Sequence, residues 1–260
     1  MNHYLMTMRA SDGSVVKLEC HDALPSTAKL AREYAKLGYP DRYVVFAESN
    51  KKFNGDEKHK TETERGVYMS CILRPSIFPS QAALLSSLCA VAMSTALEEH
   101  TTQPLGIGWV SKIYCNGVRI GDATIEGKLD NFTSYEYIIV TFSVTLSESD
   151  FPPRLTDLIR KVFESENTSI PIIIAKNILN KFFSFYSSLK NHSKFMDVYR
   201  QKFILRGHKI KYLKDGRRHT CKVLGVNPDD SSLIVEDSDK KVVYVSTPNK
   251  VTIPKKIALK

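Results

Sequence analysis

Apolar positions along the first half of the chain switch between a period of two and a period near three and a half. Ser14–Cys20 (SVVKLEC) alternates apolar and polar residues, the pattern of a half-buried strand. Ala28–Leu37 instead spaces Leu30, Ala31, Tyr34 and Ala35 three and four apart, which predicts a helix, and Pro25-Ser26-Thr27 supplies its N-cap. Tyr43–Ala47 (YVVFA) and Val67–Arg74 (VYMSCILR) are short apolar runs of the buried-strand type, the second ended by Pro75. The stretch between them, Ser49–Gly66, is polar and irregular. Ser80 is placed to cap a long helix from Gln81 to about His100, whose Ala, Leu, Cys and Met residues leave almost no polar face, so it is expected to be deeply buried.

The second half continues with Leu105–Gly127, read as two strands around an Asn116-Gly117 turn. Asn-Gly is favoured there because a type I′ turn needs positive φ at both central residues. Glu136–Leu146 is a further strand. Pro152–Glu166 and Ile170–Leu189 are expected helices, the latter with Ile174, Ile178, Phe182, Phe185 and Leu189 on one core-facing stripe, and Phe195–Phe203 adds a shorter one. From Lys209 the texture changes to five short strands in about fifty residues (KIKYL, HTCKVLGV, SLIVE, KVVYVS and VTIP), separated by turns rich in Asp, Asn, Gly and Pro. That is the pattern of a small barrel.

Composition changes the picture in one respect. The chain has 260 residues, 42% of them hydrophobic, and a net charge of +9. Arg200–Lys260 alone holds 15 Lys and Arg against 6 Asp and Glu, so the whole positive excess sits in the last quarter. Lys209, Lys211, Lys214, Arg217, Arg218 and Lys222 cluster there, with Tyr212 and His219 among them. Such an asymmetry calls for an acidic partner or nucleic acid, with a solvated surface as the plain alternative. The apolar run Gln81–Leu97 is interrupted by Ser86, Ser87, Ser94 and Thr95, and no stretch reads as a membrane span or a signal peptide. The five cysteines are scattered, with no C-x-x-C pair, which favours reduced thiols, a cytoplasmic location and no metal site.

The order of elements and several motifs resemble the biotin protein ligase family. Trp109 falls on the tryptophan of its K-W-P-N-D hairpin, Arg119-Ile120 on the K-L that follows, and Glu126 on the closing glutamate. Ser26-Thr27 matches S-T-N with Ala28 for the asparagine, and Leu73-Arg74-Pro75 matches a strand ending in L-R-P. The resemblance implies an α+β fold: a mixed β-sheet flanked by helices, of the class II synthetase-like biotin/lipoate ligase type, over residues 1–203, then an SH3-like barrel over 204–260. No helix-turn-helix is expected in front of it.

The family reaction joins biotin to AMP and passes it to a lysine on a carrier protein. The resemblance therefore implies ATP, biotin and Mg2+ as ligands, a biotin carrier-type acceptor as partner and a homodimer as a further possibility. Ser26, Thr27, Asn50, Trp109, Arg119 and Asp122 become the ligand-binding residues, and Lys51 and Lys52 the phosphate-binding ones. Several positions depart from the pattern. The family lysine, whose charge would bring two anions together, corresponds to Gly108. Lys112 shares a strand face with that position, but at ~3.3 Å per residue it is expected about 13 Å away. The glycine of K-L-x-G-I is Asp122. The loop from Asn50 to Arg65 keeps Gly55 but no arginine before Arg65. Thr141-Phe142-Ser143 stands where G-I-G is expected, and Phe142 is expected to fill space that a ligand would occupy.

Three functions stay open on these residues. One is ATP-dependent activation of biotin or a related carboxylate with transfer to a carrier lysine. Another is a non-catalytic relative that binds a ligand, a carrier domain or a partner protein. The third is nucleic-acid binding through the basic C-terminal barrel, which no recognition motif accompanies.

Overall fold

The computed structural model describes residues 3–51, 63–101, 103–130, 134–146, 169–214, 216–253 and 256–257. Among them, eight strands form one sheet in the order β1-β2-β3-β4-β8-β7-β6-β5. These are β1 His3–Arg9, β2 Val15–His21, β3 Tyr43–Lys51, β4 Thr63–Leu73, β5 Leu105–Gly108, β6 Lys112–Cys115, β7 Val118–Leu129 and β8 Tyr135–Thr145. Only β2 and β3 pair in parallel, joined by helix α1 (Thr27–Lys36) as a crossover; the other neighbours are antiparallel. The sheet is thus mixed, as expected.

Side-chain alternation sends one set of residues to each face. Tyr43, Val45, Ile72, Tyr137 and Ile139 lie under Ala31 and Ala35 of α1. The opposite face, with Leu18, Phe46, Met69, Cys71, Val140 and Phe142, packs against α2 (Ala82–Glu98), α3 (Ile170–Tyr186) and α4 (Ser193–Lys202). α2 is buried nearly all round, as its composition predicts. Its N-cap is Gln81, after a 3-10 turn at Pro79–Gln81, so α2 starts later than a cap at Ser80 would place it. The expected helix at Pro152–Glu166 lies outside the described residues.

Five strands after α4 form a second, antiparallel sheet in the order β12-β11-β10-β9-β13: β9 Lys209–Lys214, β10 Arg217–Val226, β11 Leu233–Glu236, β12 Val242–Val245 and β13 Val251–Thr252. They match the five expected strands. Two features differ from the sequence reading. β1, an edge strand whose Tyr4 and Leu5 are exposed, has no clean alternation to reveal it. And Leu105–Gly127 is not one hairpin but three strands.

Candidate functional site

Ser26 opens α1 with extended backbone, and its hydroxyl accepts from the Lys29 N–H at 3.1 Å. Beyond this helix start lies a cavity of about 130 Å³. Leu24, Pro25, Ser26, Thr27 and Ala28 line it from the β2–α1 connection, Asn50 and Tyr68 from β3 and β4, and Thr141 and Ser143 from β8. The predicted ligand residues Ser26, Thr27 and Asn50 are therefore brought together. The floor is a chain of hydroxyls: Thr27 Oγ1 to Ser70 Oγ at 2.8 Å and Ser70 Oγ to Thr141 Oγ1 at 2.9 Å. Phe142 also borders the cavity, but its ring does not fill it. Alternation turns its ring to the other face, edge-on to Phe182 at 5.4 Å between centroids, and Thr141 and Ser143 occupy the cavity side instead. The polar residues at period two in β4 (Tyr68, Ser70) and β8 (Thr141, Ser143) were the available signal for this wall.

The neighbouring hairpin corrects the sequence expectation about Lys112. The Asn116-Gly117 turn is present, with φ of 49° and 76°. But the chain also reverses at Trp109-Val110-Ser111, so that Gly108 and Lys112 are directly opposed cross-strand partners. Opposed residues of an antiparallel pair lie roughly 4.5–5.5 Å apart, not 13 Å. A Cβ built on Gly108 would stand 3.5 Å from the Lys112 Cβ, and only 2.7 Å from the ring of Tyr114. A side chain at 108 is thus excluded by the buried Tyr114, and the neighbouring lysine comes from 112. Each residue of the reversal is anchored. Trp109 Nε1 donates to the Ser231 carbonyl at 2.8 Å, the Val110 carbonyl accepts from Tyr199 Oη at 2.8 Å, and Ser111 Oγ donates to the Ala123 carbonyl at 2.5 Å.

Lys112 opposes Asp122 across β6–β7, and Asp122 opposes Ser143 across β7–β8. Opposed residues share a sheet face, so lysine, carboxylate and cavity wall lie in one row, the lysine roughly 10 Å from Ser143 at ~4.8 Å per strand. The Lys112 amine is half-buried, and among the described residues its one hydrogen bond is a long one, 3.4 Å to the Trp109 carbonyl. Burial pushes its pKa down; the Asp122 carboxylate opposes this and the Arg119 guanidinium adds to it. The row thus holds a desolvated, under-used cation beside a polar cavity, where charge acts more strongly than in water.

The fold agrees with known proteins. No family profile matches the chain. The bifunctional ligase/repressor BirA of Bacillus subtilis is 29% identical over 153 residues, 58% of this chain and 47% of that protein. The chain thus spans about half the length of the curated relatives it matches. The biotin protein ligase of Aquifex aeolicus in complex with biotin and ATP superposes with a TM-score of 0.66 at 16% identity, covering 90% of this chain and 97% of that one. The chain has the fold of the biotin protein ligases. A biotin protein ligase-like protein of unknown function from Silicibacter superposes with a TM-score of 0.65 at 15% identity, covering 89% of this chain and 94% of that one.

Other family positions fall into place differently. Trp109 is buried against Ser231 and is not among the cavity-lining residues; its position fits an anchor for the hairpin. Arg119 sits beside Tyr114 and Lys112 rather than in the cavity wall. Gly121 faces the core near Met93, which leaves Asp122 on the cavity face. Glu126 holds Arg32 of α1 in a bidentate pair at 2.6 to 3.1 Å. Lys51 ends β3, and Lys52 lies outside the described residues. Among the described residues, no group of three or more His, Cys, Asp or Glu converges. The described residues do not themselves form a Mg2+ cage, and Mg2+ is generally bound through one or two carboxylates plus substrate phosphates. No described helix is long and apolar enough to cross a membrane.

In the second sheet, Lys209 opposes Lys222 and Lys211 opposes Thr220, all exposed, while Ile210 and Cys221 point inward. Of the predicted basic cluster, Lys214 and Arg217 oppose each other at the turn and alternate to the other face, while Lys209, Lys211 and Lys222 share an outward strand face. Arg218 joins it opposite the exposed Leu213. Like charges placed directly across strands cost stability, so a nearby anionic partner would relieve them.

Proposed function

We propose that this protein activates a carboxylic acid by joining it to AMP and passes the acyl group to a carrier-type acceptor, the kind of reaction the biotin protein ligase family performs with biotin. The observation that carries this reading is the position of Lys112: a half-buried amine across from Gly108, in one row with the cavity wall. Lys112 neutralises the approaching carboxylate and phosphate, and Asp122 and Arg119 set its charge. Ser26, Thr27 and Asn50 hold the head of the acid, and the exposed Lys209–Lys211–Lys222 face receives an acidic carrier domain by charge complementarity. The test is ATP–pyrophosphate exchange with a panel of carboxylic acids, followed by transfer to a carrier domain. Exchange in the wild type that falls at least about a hundredfold in Lys112→Ala supports the reading; exchange unchanged by the substitution removes Lys112 from the chemistry.

A second reading, ligand binding without turnover, is favoured by the loop from Asn50 to Arg65. It offers one glycine and no arginine before Arg65, a poor set for cradling phosphates. Calorimetric binding of an acid in the absence of any exchange supports that reading instead.

A further inference from the structure

We propose that the acid this protein takes carries an amine on the carbon next to its carboxylate, so that the substrate is an amino acid held as a zwitterion between Lys112 and Asp122. This rests on Lys112 being the group that meets the carboxylate in the proposed ligase. In that reading Asp122 only tunes the amine, yet its own charge lies on the ligand's side of the sheet. Lys112 and Arg119 suit an approaching carboxylate and phosphate; a carboxylate beside them repels both. The ladder fixes where Asp122 acts. It opposes Lys112 on one side and Ser143 on the other, and Ser143 lines the cavity. An acid with its head in the cavity and its carboxylate at Lys112 therefore passes over Asp122, one strand spacing (~4.8 Å) before it reaches the amine. The K-L-x-G-I pattern has an uncharged glycine at this position.

The two charges are close but not joined. Both side chains are half-buried, and the Asp122 carboxylate acts on the Lys112 amine, opposing the effect of its burial. Yet no ion pair within 4.0 Å links them. Among the described residues, the amine has only its long hydrogen bond to the Trp109 carbonyl, and the side chains of Asp122 and Arg119 have none. A cation and an anion on neighbouring strands match a ligand that carries the opposite charges on neighbouring carbons. A plain carboxylate drawn to Lys112 is repelled by Asp122 at a comparable distance, and the two effects largely cancel. A zwitterion gains from both, and partly buried charges are screened less than exposed ones. Arg119, nearer the Asn116-Gly117 turn, stays available for phosphate.

The test is calorimetry without ATP on two pairs of acids, leucine with 4-methylpentanoate and glutamine with 4-carbamoylbutanoate. Within each pair the acids differ only in the α-amine, so the head group cancels. In every pair that binds, the wild type is expected to hold the amino acid at least about tenfold more tightly. Asp122→Asn keeps the size and removes the charge. It is expected to bring that ratio close to one and to bind the amine-free acid more tightly than the wild type does. Lys112→Met is expected to weaken both members of a pair, because both present a carboxylate. Melting curves establish that each variant is folded; should Asp122→Asn not fold, the wild-type ratio decides alone. An amine-free acid bound as tightly as its amino acid, an Asp122→Asn variant that keeps the wild-type ratio, a Lys112→Met variant that binds both acids unchanged, or binding of none of the four overturns the proposal. The predicted preference without any ATP–pyrophosphate exchange would defeat the ligase reading and leave the amine subsite standing. Exchange with plain acids and no preference would do the reverse.

Discussion

Lys112 is held where burial opposes its charge, and the consequence is a pH dependence of a stated sign. Its pKa in the folded protein lies below the ordinary lysine value near 10.4. Between the two values the unfolded chain binds a proton that the folded chain does not, so stability rises with pH across that window. Lys112→Met removes the effect. Thermal melting of both proteins in that alkaline range is expected to show the wild type gaining on the variant as pH rises, and parallel curves would contradict it. Affinity for a carboxylate should move the other way, weakening as pH passes up through the depressed value. None of this was legible from residue spacing. Spacing along one strand puts Lys112 far from Gly108. The reversal at Trp109-Val110-Ser111 depends on partners distant in sequence, namely Ser231, Tyr199 and Ala123. Ser26, Thr27 and Asn50 were legible, because a helix cap and a strand end keep their places whatever the tertiary contacts.

At the scale of elements, α1 is tied to the sheet beneath it by a buried carboxylate. Glu19 of β2 accepts hydrogen bonds from Tyr43 of β3 at 2.7 Å, from Tyr34 of α1 at 3.2 Å and, in the appropriate tautomer, from His21 at 2.8 Å. Burial pushes its pKa up, but the hydrogen bonds from Tyr43, His21 and Tyr34 outweigh it and hold the carboxyl below the usual glutamate value. The stabilisation is thus complete above about pH 4.3 and disappears as pH falls through the folded pKa. Glu19→Ala leaves the buried Tyr43 hydroxyl without that acceptor and should cost about 1–3 kcal/mol at neutral pH, measured by urea unfolding. Gly117→Ala, at φ of 76° in the hairpin turn, should cost about 1 kcal/mol or more by the same measurement, since an L side chain resists that conformation. The strands and helices themselves follow from apolar periodicity wherever an element has one buried face. β1 lacks that signature because it lies at the sheet edge with little of it buried. The split of the first hairpin strand lacks it because Ile107, Trp109 and Ile113 are all buried on both sides of the reversal.

Across the whole molecule, the second sheet grips the hairpin that carries Lys112. Trp109 reaches Ser231 before β11, and Ser87 of α2 bonds the same serine at 2.8 Å. Ile204 N–H donates to the Ile107 carbonyl at 3.0 Å, and Ile257 N–H donates to the Gly117 carbonyl at 2.8 Å. A truncation after residue 203 should therefore destabilise the larger sheet and abolish any pyrophosphate exchange, although no cavity-lining residue is removed. Full exchange activity in a well-folded truncation would show the grip to be dispensable. The basic strand face points outward from this grip, which leaves Lys209, Lys211 and Lys222 free to meet a partner.

Trp109 is the single tryptophan of the chain, and it sits at the point where the two sheets meet. Its intrinsic emission is consequently a spectroscopic reporter of that junction alone. In the native protein, with the indole buried, emission should be blue-shifted; a red shift that precedes loss of the far-ultraviolet dichroism would mark the second sheet lifting away before the rest unfolds. One fluorometer cuvette can thus follow how firmly the hairpin is held, without a label and without knowing the substrate.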